Sequence, residues 1–164
     1  MRSITTLTFV CFAMIASAQD AQREINEQVW KPFIKGFNEN DTKTFMAVHS
    51  KDVVRSSRDA KEVLNWNQYF AQQERGDKAD LAAKRKRTLE LRFTERIASA
   101  AQAVEVGIYK TSYANADGTT RSFFGRFHVV MRKEQGVWKI LVDTDSSENN
   151  TISENDFLAA APME

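Results

Sequence analysis

Cysteine is almost absent from this chain, and so is any large net charge. The single cysteine, Cys11, lies in residues 1–18, which we expect to be removed. The remaining chain would then have no disulfide, no thiol nucleophile and no thiolate metal site. Basic residues number 23 and acidic residues 22, so the formal net charge is only +1. Such a balance offers no overall basic field to nucleic acid or to an anionic membrane.

Long hydrophobic runs are also missing, except for one near the N-terminus. Arg2 precedes an uncharged, mostly apolar stretch over residues 7–16, and Ala16-Ser17-Ala18 follows it. Ten helical residues cover about 15 Å, roughly half of the hydrocarbon core of a bilayer. A charged start, a short apolar middle and small residues at the end predict a secretory signal peptide over residues 1–18. We therefore expect an exported protein, periplasmic or secreted, and no membrane partner.

The rest of the chain has the usual size of one domain. We assign residues 19–147 to an α+β domain. Residues 148–164 are expected to form a polar linker and a short C-terminal helix or tail, with the helix over 153–161 capped by Ser153 and docked through Phe157 and Leu158.

The first half of the chain has a helical period. Apolar residues recur at steps of three and four over residues 20–38, and Pro32 is expected to kink this helix around 28–31. Asp41 can cap a second helix over residues 42–49.

A short strand over residues 52–57 is expected next. Asp59 and Glu62 have the spacing of a capping box and predict a third helix over 59–73. Residues 74–87 are dense in charge and are expected to form a solvated loop and the start of a strand. Their Lys84-Arg85-Lys86-Arg87 run is more typical of a solvated surface than of a nucleic-acid patch.

The second half changes to a period of two, which is typical of strands with one buried face. The four expected buried sets are Leu89, Leu91 and Phe93; Val104, Val106 and Ile108; Phe123, Phe127, Val129 and Met131; and Trp138, Ile140 and Val142. Hairpin turns fit residues 115–118 and 134–136. Helices followed by four long antiparallel strands and one short strand predict the α+β class.

This order of elements resembles the nuclear-transport-factor-2-like superfamily, and most closely its small SnoaL-like and ketosteroid-isomerase-like bacterial members. The matching motifs are VWKPF at 29–33, ND at 40–41, HSKDVV at 49–54 and FHVVMRKEQGVWKI at 127–140. The resemblance covers nearly all of residues 20–147. It implies a curved sheet forming a cone against the N-terminal helices, with a pocket inside, and a homodimer packed through the sheets. It does not imply one activity, because isomerases, cyclases, dehydratases and transport factors share the fold.

Aromatic side chains are the main candidates for binding a small apolar or aromatic ligand, although they equally fit a simple core. Arg55 fits either an anchor for an anionic ligand or a solvent-facing strand residue. The predicted ligand-binding set is Trp30, Phe33, Arg55, Trp66, Tyr69, Phe93, Phe127 and Trp138.

Acidic residues of the strands bear on catalysis. A ketosteroid-isomerase-type site needs a carboxylate base inside an apolar pocket. The strand period places Glu90, Glu105 and Asp143 on the face opposite the buried one. We therefore predict no catalytic residue, no metal and no cofactor.

Histidine occurs only at positions 49 and 128, and nothing in the sequence brings the two together. We expect His49 at a helix end and His128 on the sheet surface, with a dimer interface or pocket mouth as an alternative for His128. Residues 145–156 imitate the spacing of a calcium loop, but Asn150 replaces its glycine and Asp156 is shorter than the usual glutamate.

Three functions remain open at this point. The first is an exported small-molecule-binding or accessory domain, the second an isomerase, dehydratase or cyclase, and the third a structural dimerisation module with a filled cone. A cavity below about 100 Å³ would favour the third, since ligand pockets start at about 300 Å³. A cavity holding a carboxylate or histidine beside a second polar group would favour the enzyme.

Overall fold

The first helix is distorted close to the position predicted from its proline. In the computed structural model, which describes residues 19–163, helix α1 runs over residues 19–25, a π-helical turn at Asn26–Trp30 and an α-helical segment at Lys31–Asn38. The N–H of Lys31 donates to the carbonyl of Asn26, five residues back. Pro32 has no N–H and lies in the first turn of the last segment, which explains why the helix is irregular here. The predicted signal peptide lies outside the described residues.

The next two helices differ from prediction in different ways. Helix α2, Thr42–Ala47, has the expected cap, because the Asp41 carboxylate accepts from two backbone N–H groups of its first turn. Helix α3, Trp66–Ala82, begins later and is longer than predicted, and its capping box is formed by Asn65 and Gln68. The predicted start of this helix at Asp59 and the predicted charged loop over residues 74–82 were wrong, whereas residues 66–73 are helical as predicted.

The charged end of α3 is helical because two of its carboxylates face inward. Asp77 and Asp80 are buried and form ion pairs with Arg87, which is itself buried. Arg87 also donates from Nε to the carbonyl of Phe37, over 2.6 Å, so this guanidinium ties α1 and α3 to the sheet. The basic run at 84–87 was expected to be solvated, but its last residue, Arg87, is buried. The expected start of a strand is present within the run, at Lys86.

The sheet has seven strands in the order β2-β1-β6-β5-β4-β3-β7, and only the β1–β6 pair is parallel. The strands are β1 His49–Ser57, β2 Glu62–Leu64, β3 Lys86–Ala98, β4 Gln102–Ala114, β5 Thr120–Glu134, β6 Val137–Ser146 and β7 Ala161–Pro162. The predicted α+β class and the four-strand meander are confirmed. Both predicted hairpin turns are present, and each contains a glycine with positive φ, Gly118 and Gly136.

The inner face of the sheet packs against α1 and holds the main core. Trp30, Met131, Trp138 and Ile140 are fully buried there. The predicted inner residues of β3 and β5 are confirmed, although Phe123, on the same face as the others, is half exposed.

The inward and outward residues of strand β4 are the reverse of those predicted. Val104 is exposed, and the inward residues are Ala103, Glu105 and Gly107. The hydrophobic period selected the wrong face because the inward face of β4 is small and polar where α1 approaches it. Gly107 illustrates the crowding, because an added Cβ would lie 2.5 Å from the ring of Phe127.

Strand β6 changes faces along its length. Val130 and Met131 of β5 pair with Val142 and Ile140, so Leu141 has no partner and forms a bulge. A bulge adds one residue and reverses the inward and outward positions beyond it. Trp138 and Ile140 therefore point inward as predicted, but Asp143 and not Val142 is inward after the bulge.

The C-terminal segment lies on the other side of the sheet. It contains a 3₁₀ turn at Glu148–Asn150 and helix α4, Glu154–Ala159, capped by Ser153 as predicted. Phe157 is buried with Ile108 of β4, whereas Leu158 is exposed. Within residues 19–163 no helix is both long and apolar enough to cross a membrane.

Candidate functional site

A cavity of about 500 Å³ lies between the inner face of the sheet and helices α1 and α3. This volume is within the range of small-molecule sites, roughly 300–1,000 Å³. Its walls are mainly aromatic and aliphatic, and its polar lining residues are Arg55, Tyr69, Gln72, Gln73, Tyr109, Thr111, Tyr113, Asp143 and Asp145.

Five of the eight predicted ligand-binding residues line this cavity. They are Trp30, Phe33, Arg55, Tyr69 and Phe127. The other three lie elsewhere. Phe93 is buried behind the rings of Trp30 and Phe127, and Trp138 is fully buried in the core. Trp66 stacks on Phe70 at 5.2 Å and lines a separate groove.

The polar lining residues named above, together with His49, form what we call the polar wall of the cavity. A buried carboxylate, Asp143, lies at its centre. Its Oδ2 accepts from the Tyr69 hydroxyl at 2.9 Å and lies 3.3 Å from His49 Nε2, while Oδ1 lies 3.5 Å from a nitrogen of Arg55. Burial alone would raise the pKa of Asp143, but the charge of Arg55 and the contacts with His49 and Tyr69 outweigh it and lower the pKa to about 2. Asp143 is therefore ionised at neutral pH inside the cone, and the prediction that it lies on the opposite face was wrong.

His49 joins this cluster from the start of β1. Its Nδ1 lies 3.1 Å from the carbonyl of Phe45, and its Nε2 faces Asp143. Both ring nitrogens thus face oxygen acceptors. His49 follows helix α2 as expected, but it is buried among Phe33, Phe45 and Tyr69 and belongs to the polar wall.

Arg55 bridges two carboxylates and is not the solvent-facing strand arginine considered above. One terminal nitrogen lies near Asp143 and the other donates to Asp145 Oδ2 at 2.8 Å. The guanidinium also lies over the Tyr69 ring. Its Nε is buried and has no hydrogen-bond partner among residues 19–163. A buried N–H without an acceptor is costly, and an oxygen atom of a ligand could satisfy it.

Asp145 differs from Asp143 although both bind the same guanidinium. Burial raises the pKa of Asp145, Arg55 lowers it, and the nearby Asp143 charge raises it again, with a net upward direction. Its side chain is about one third exposed, so Asp145 can reach a molecule in the cavity. Two neighbouring carboxylates whose pKa values are displaced in opposite directions are typical of acid–base sites.

Tyr109 extends the polar wall across the sheet. Its hydroxyl occupies the space over Gly125, where an added Cβ would lie 2.3 Å from Oη. Burial, and next the charge of Asp145, raise the pKa of Tyr109 to about 12. The phenol therefore stays protonated and is available as a hydrogen-bond donor inside the cavity.

A second buried carboxylate, Glu105, holds Trp30, one of the aromatic residues that line the cavity. It accepts from Trp30 Nε1 and from the guanidinium of Arg96, whose Nε and terminal nitrogen lie 3.1 and 3.0 Å from Oε1. Burial raises the pKa of Glu105, while Arg96 and Trp30 act in the opposite sense. Glu105 is fully buried, so its predicted place on the opposite face was wrong, whereas Glu90 is exposed as predicted.

The remaining sequence candidates lie apart from the cavity. His128 is exposed on the outer face, across from Val106. The two aspartates that begin and end the calcium-like segment have other partners, because Asp145 binds Arg55 and Asp156 caps α4. Among residues 19–163, no group of three or more histidine, cysteine, aspartate or glutamate side chains could hold a metal ion.

Comparison with known proteins gives likeness in structure only. No protein family model matches the chain, and no curated protein sequence matches it either. A nuclear transport factor 2-like superfamily protein from Salmonella enterica superposes with a TM-score of 0.61 at 19% identity, covering 78% of this chain and 91% of that chain. A scytalone dehydratase candidate from Novosphingobium aromaticivorans gives 0.63 at 12% identity, covering 80% and 87%.

The association domain of CaMKII from C. elegans is also similar, with a TM-score of 0.60 at 14% identity over 79% of this chain and 98% of that one. These structures share the cone of sheet and helices described above, while their identities are too low to transfer an activity. The chain has the nuclear-transport-factor-2-like fold, as its sequence predicts.

Proposed function

We propose that this chain binds a small, mostly apolar molecule in the cone and holds an oxygen-bearing group of it at Arg55 and Asp145. The observation that carries this proposal is the meeting of aromatic walls with a charged pair in a cavity of about 500 Å³. A filled cone would have needed neither the space nor the buried charges. Burying ionised groups is costly unless they are paired, and structures retain such groups mainly where they specify geometry or function.

A fluorescent probe tests binding directly. N-phenyl-1-naphthylamine is apolar and aromatic, and its emission rises in an apolar site. We expect one probe per chain, and we expect Thr111→Phe, which adds a ring to the cavity lining, to weaken binding by about tenfold or more, a loss of about 1.4 kcal/mol. Thr88→Phe adds the same ring at an exposed position and is the control. Equal affinity in both variants would contradict the proposal.

A second candidate function is acid–base catalysis on the bound molecule. The opposite pKa directions of Asp143 and Asp145 favour it, because one carboxylate stays ionised while the other can exchange a proton. In this proposal Asp145 is the acid–base group, Arg55 and Tyr109 are hydrogen-bond donors to the reacting oxygen, and the chemistry is isomerisation or dehydration. The scytalone dehydratase candidate shares the fold, which is compatible with this class of reaction.

Hydrogen exchange at an enolisable ketone tests the catalytic proposal without knowledge of the natural substrate. The probe is 2-tetralone in deuterated water, with uptake of deuterium next to the carbonyl followed by NMR. We expect the wild-type protein to accelerate uptake and Asp145→Asn to abolish the acceleration while the ketone still binds. Asp117→Asn, in an exposed turn, is the matched control. No acceleration by the wild-type protein would contradict the catalytic proposal and leave binding in place.

We also propose that two copies pair through the outer face of the sheet. One residue from each of five strands forms a continuous aliphatic row there, because each is the pairing partner of the next: Val54, Val142, Val130, Val104 and Ile97. Val54, Val104 and Ile97 are exposed large apolar side chains, and such a patch is typical of an interaction site. The association domain of CaMKII, by its name, belongs to an assembly-forming part of its protein.

The oligomeric state tests this pairing. We expect a dimer in light scattering coupled to gel filtration, and a monomer after Val104→Lys. Val63→Lys, on the exposed strand β2, provides the control. A wild-type monomer would contradict the proposed dimer.

Export remains a proposal that rests on residues 1–18 alone. We expect the chain recovered from its native host to begin at Gln19 and to be found in the periplasm or the medium. Intact-mass measurement of the recovered protein decides this, because a retained Met1–Ala18 segment would contradict removal of a signal peptide.

A further inference from the structure

An open cleft of about 550 Å³ adjoins the cone cavity. It is formed by the end of α3, the start of β3 and the hairpin that joins β4 to β5. Tyr113 and Phe123 line both spaces, and their rings meet edge to face at 6.1 Å. The cleft and the apolar cavity therefore share one wall made of two aromatic rings, and a long molecule could occupy both.

Positive charge is concentrated in this cleft. Arg85, Arg87 and Arg121 line it, and Asp80 is the only carboxylate in its lining among residues 19–163. Arg87 is saturated by Asp77, Asp80 and the Phe37 carbonyl, so it serves the fold.

The side chains of the other two arginines have fewer partners. Arg85 donates to Asp80 at 3.0 Å and to the side chain of Asn115 at 3.3 Å, and its head remains partly exposed. Arg121 is exposed on β5, and its side chain has no ion pair or hydrogen bond among residues 19–163. A guanidinium without an ion pair, next to a second and partly exposed guanidinium, can bind a carboxylate, sulfonate or phosphate.

We infer that the ligand of the cone is an amphipathic anion: an apolar body inside the cavity, joined to an acidic group that Arg121 and Arg85 bind in the cleft. This inference rests on the proposed binding function and specifies its ligand class. The inner polar wall does not supply such a site, because its one arginine is already shared by two carboxylates. The shared aromatic wall places the apolar body and the acidic group in neighbouring spaces.

A matched pair of compounds isolates the acidic group. 4-Phenylbutyrate and 4-phenylbutan-1-ol have the same apolar body and differ only in the terminal carboxylate. Each is used to displace N-phenyl-1-naphthylamine from the wild-type protein at low salt. We expect the acid to displace the probe at a concentration about tenfold lower than the alcohol, and added salt to reduce this advantage, because exposed charges are screened.

Variants identify the residue responsible. Arg121→Gln is expected to remove most of the acid's advantage and leave the alcohol unchanged. Arg23→Gln removes one exposed charge from α1 and is the control, expected to change neither. Because both residues are exposed, both variants are expected to fold, which circular dichroism checks.

The outcomes separate this inference from the proposed function. If the probe does not bind, or binds equally well after Thr111→Phe, the binding proposal itself fails. If the probe binds in the cone but acid and alcohol displace it equally, or Arg121→Gln weakens both alike, the cavity is a binding site and the anionic ligand class is wrong.

Discussion

The hydroxyl of Tyr69 donates to Asp143 Oδ2 over 2.9 Å, and this bond joins helix α3 to strand β6 across the polar wall of the cone. Burial, and next the charge of Asp143, raise the pKa of Tyr69 well above its usual range, so the donor stays protonated. Both partners are buried. Several consequences for stability can be measured.

Tyr69→Phe removes the donor and keeps the ring. We expect a loss of about 1–3 kcal/mol in the free energy of unfolding, because Asp143 is left with one fewer hydrogen bond in a buried site. Urea denaturation measures it. Tyr113→Phe is the control, since the Tyr113 hydroxyl has no hydrogen bond among residues 19–163, and it should cost less than about 0.5 kcal/mol. Similar losses in both variants would contradict the assigned role of the Tyr69 bond.

Asp143→Asn removes the buried anion and should cost about 3–5 kcal/mol near pH 7, because Arg55 and His49 lose their partner. The folded-state pKa of about 2 lies below the unfolded value, so the carboxylate stabilises the fold above about pH 4. This contribution, about 2 kcal/mol, is lost as the pH falls from about 4 to about 2. The variant should lack that component, which unfolding curves over this range would reveal.

Asp145→Asn should act in the opposite direction. The pKa of Asp145 is raised in the folded state, so its charged form destabilises the fold, and the neutral form that avoids this penalty is present only at low pH. We expect the variant to be more stable than the wild type at neutral pH, with the difference shrinking as the solution is acidified. Thermal unfolding at a series of pH values measures this. A variant less stable than the wild type at pH 7 would mean that the hydrogen bond to Arg55 outweighs the burial of Asp145.

Trp30→Phe removes the indole N–H that donates a hydrogen bond to Glu105. The cost should be about 1–3 kcal/mol beyond the lost ring volume, because Glu105 is fully buried. Trp66→Phe loses the same atoms, but Trp66 Nε1 has no partner among residues 19–163, so it provides the matched control. Denaturant unfolding of the two variants gives the difference. The prediction fails if the two substitutions cost the same.

Much of the architecture was predictable from sequence. The alternation in β3 and β5 identified Leu91, Phe93, Val129 and Met131 as inward residues, which the structure confirms. The position of Pro32 indicated where α1 is irregular. These features depend on local pattern alone, and the packing does not override them.

The polar part of the site was not predictable in the same way. Asp143 becomes an inward residue only because Leu141 forms a bulge, and a bulge leaves no signature in hydrophobic period. Glu105 was missed because the inward face of β4 is less hydrophobic than its outward face. A possible signal was present in D-T-D at 143–145, since two acids two residues apart share a face and could have been tested with Arg55 as a common partner.

The extra residue at Leu141 also concerns how such a site can arise. If Leu141 instead paired regularly with β5, the alternation set by Trp138 and Ile140 would continue, and Val142 and Thr144 would face the cone in place of both aspartates. Deletion of Leu141 would not have this effect, because Ile140 and Val142 already pair with neighbouring residues of β5, and Asp143 would stay inward. The charge of the interior therefore depends on whether one residue joins the ladder, and two proteins with the same β6 sequence but different pairing would have a charged and an uncharged cavity.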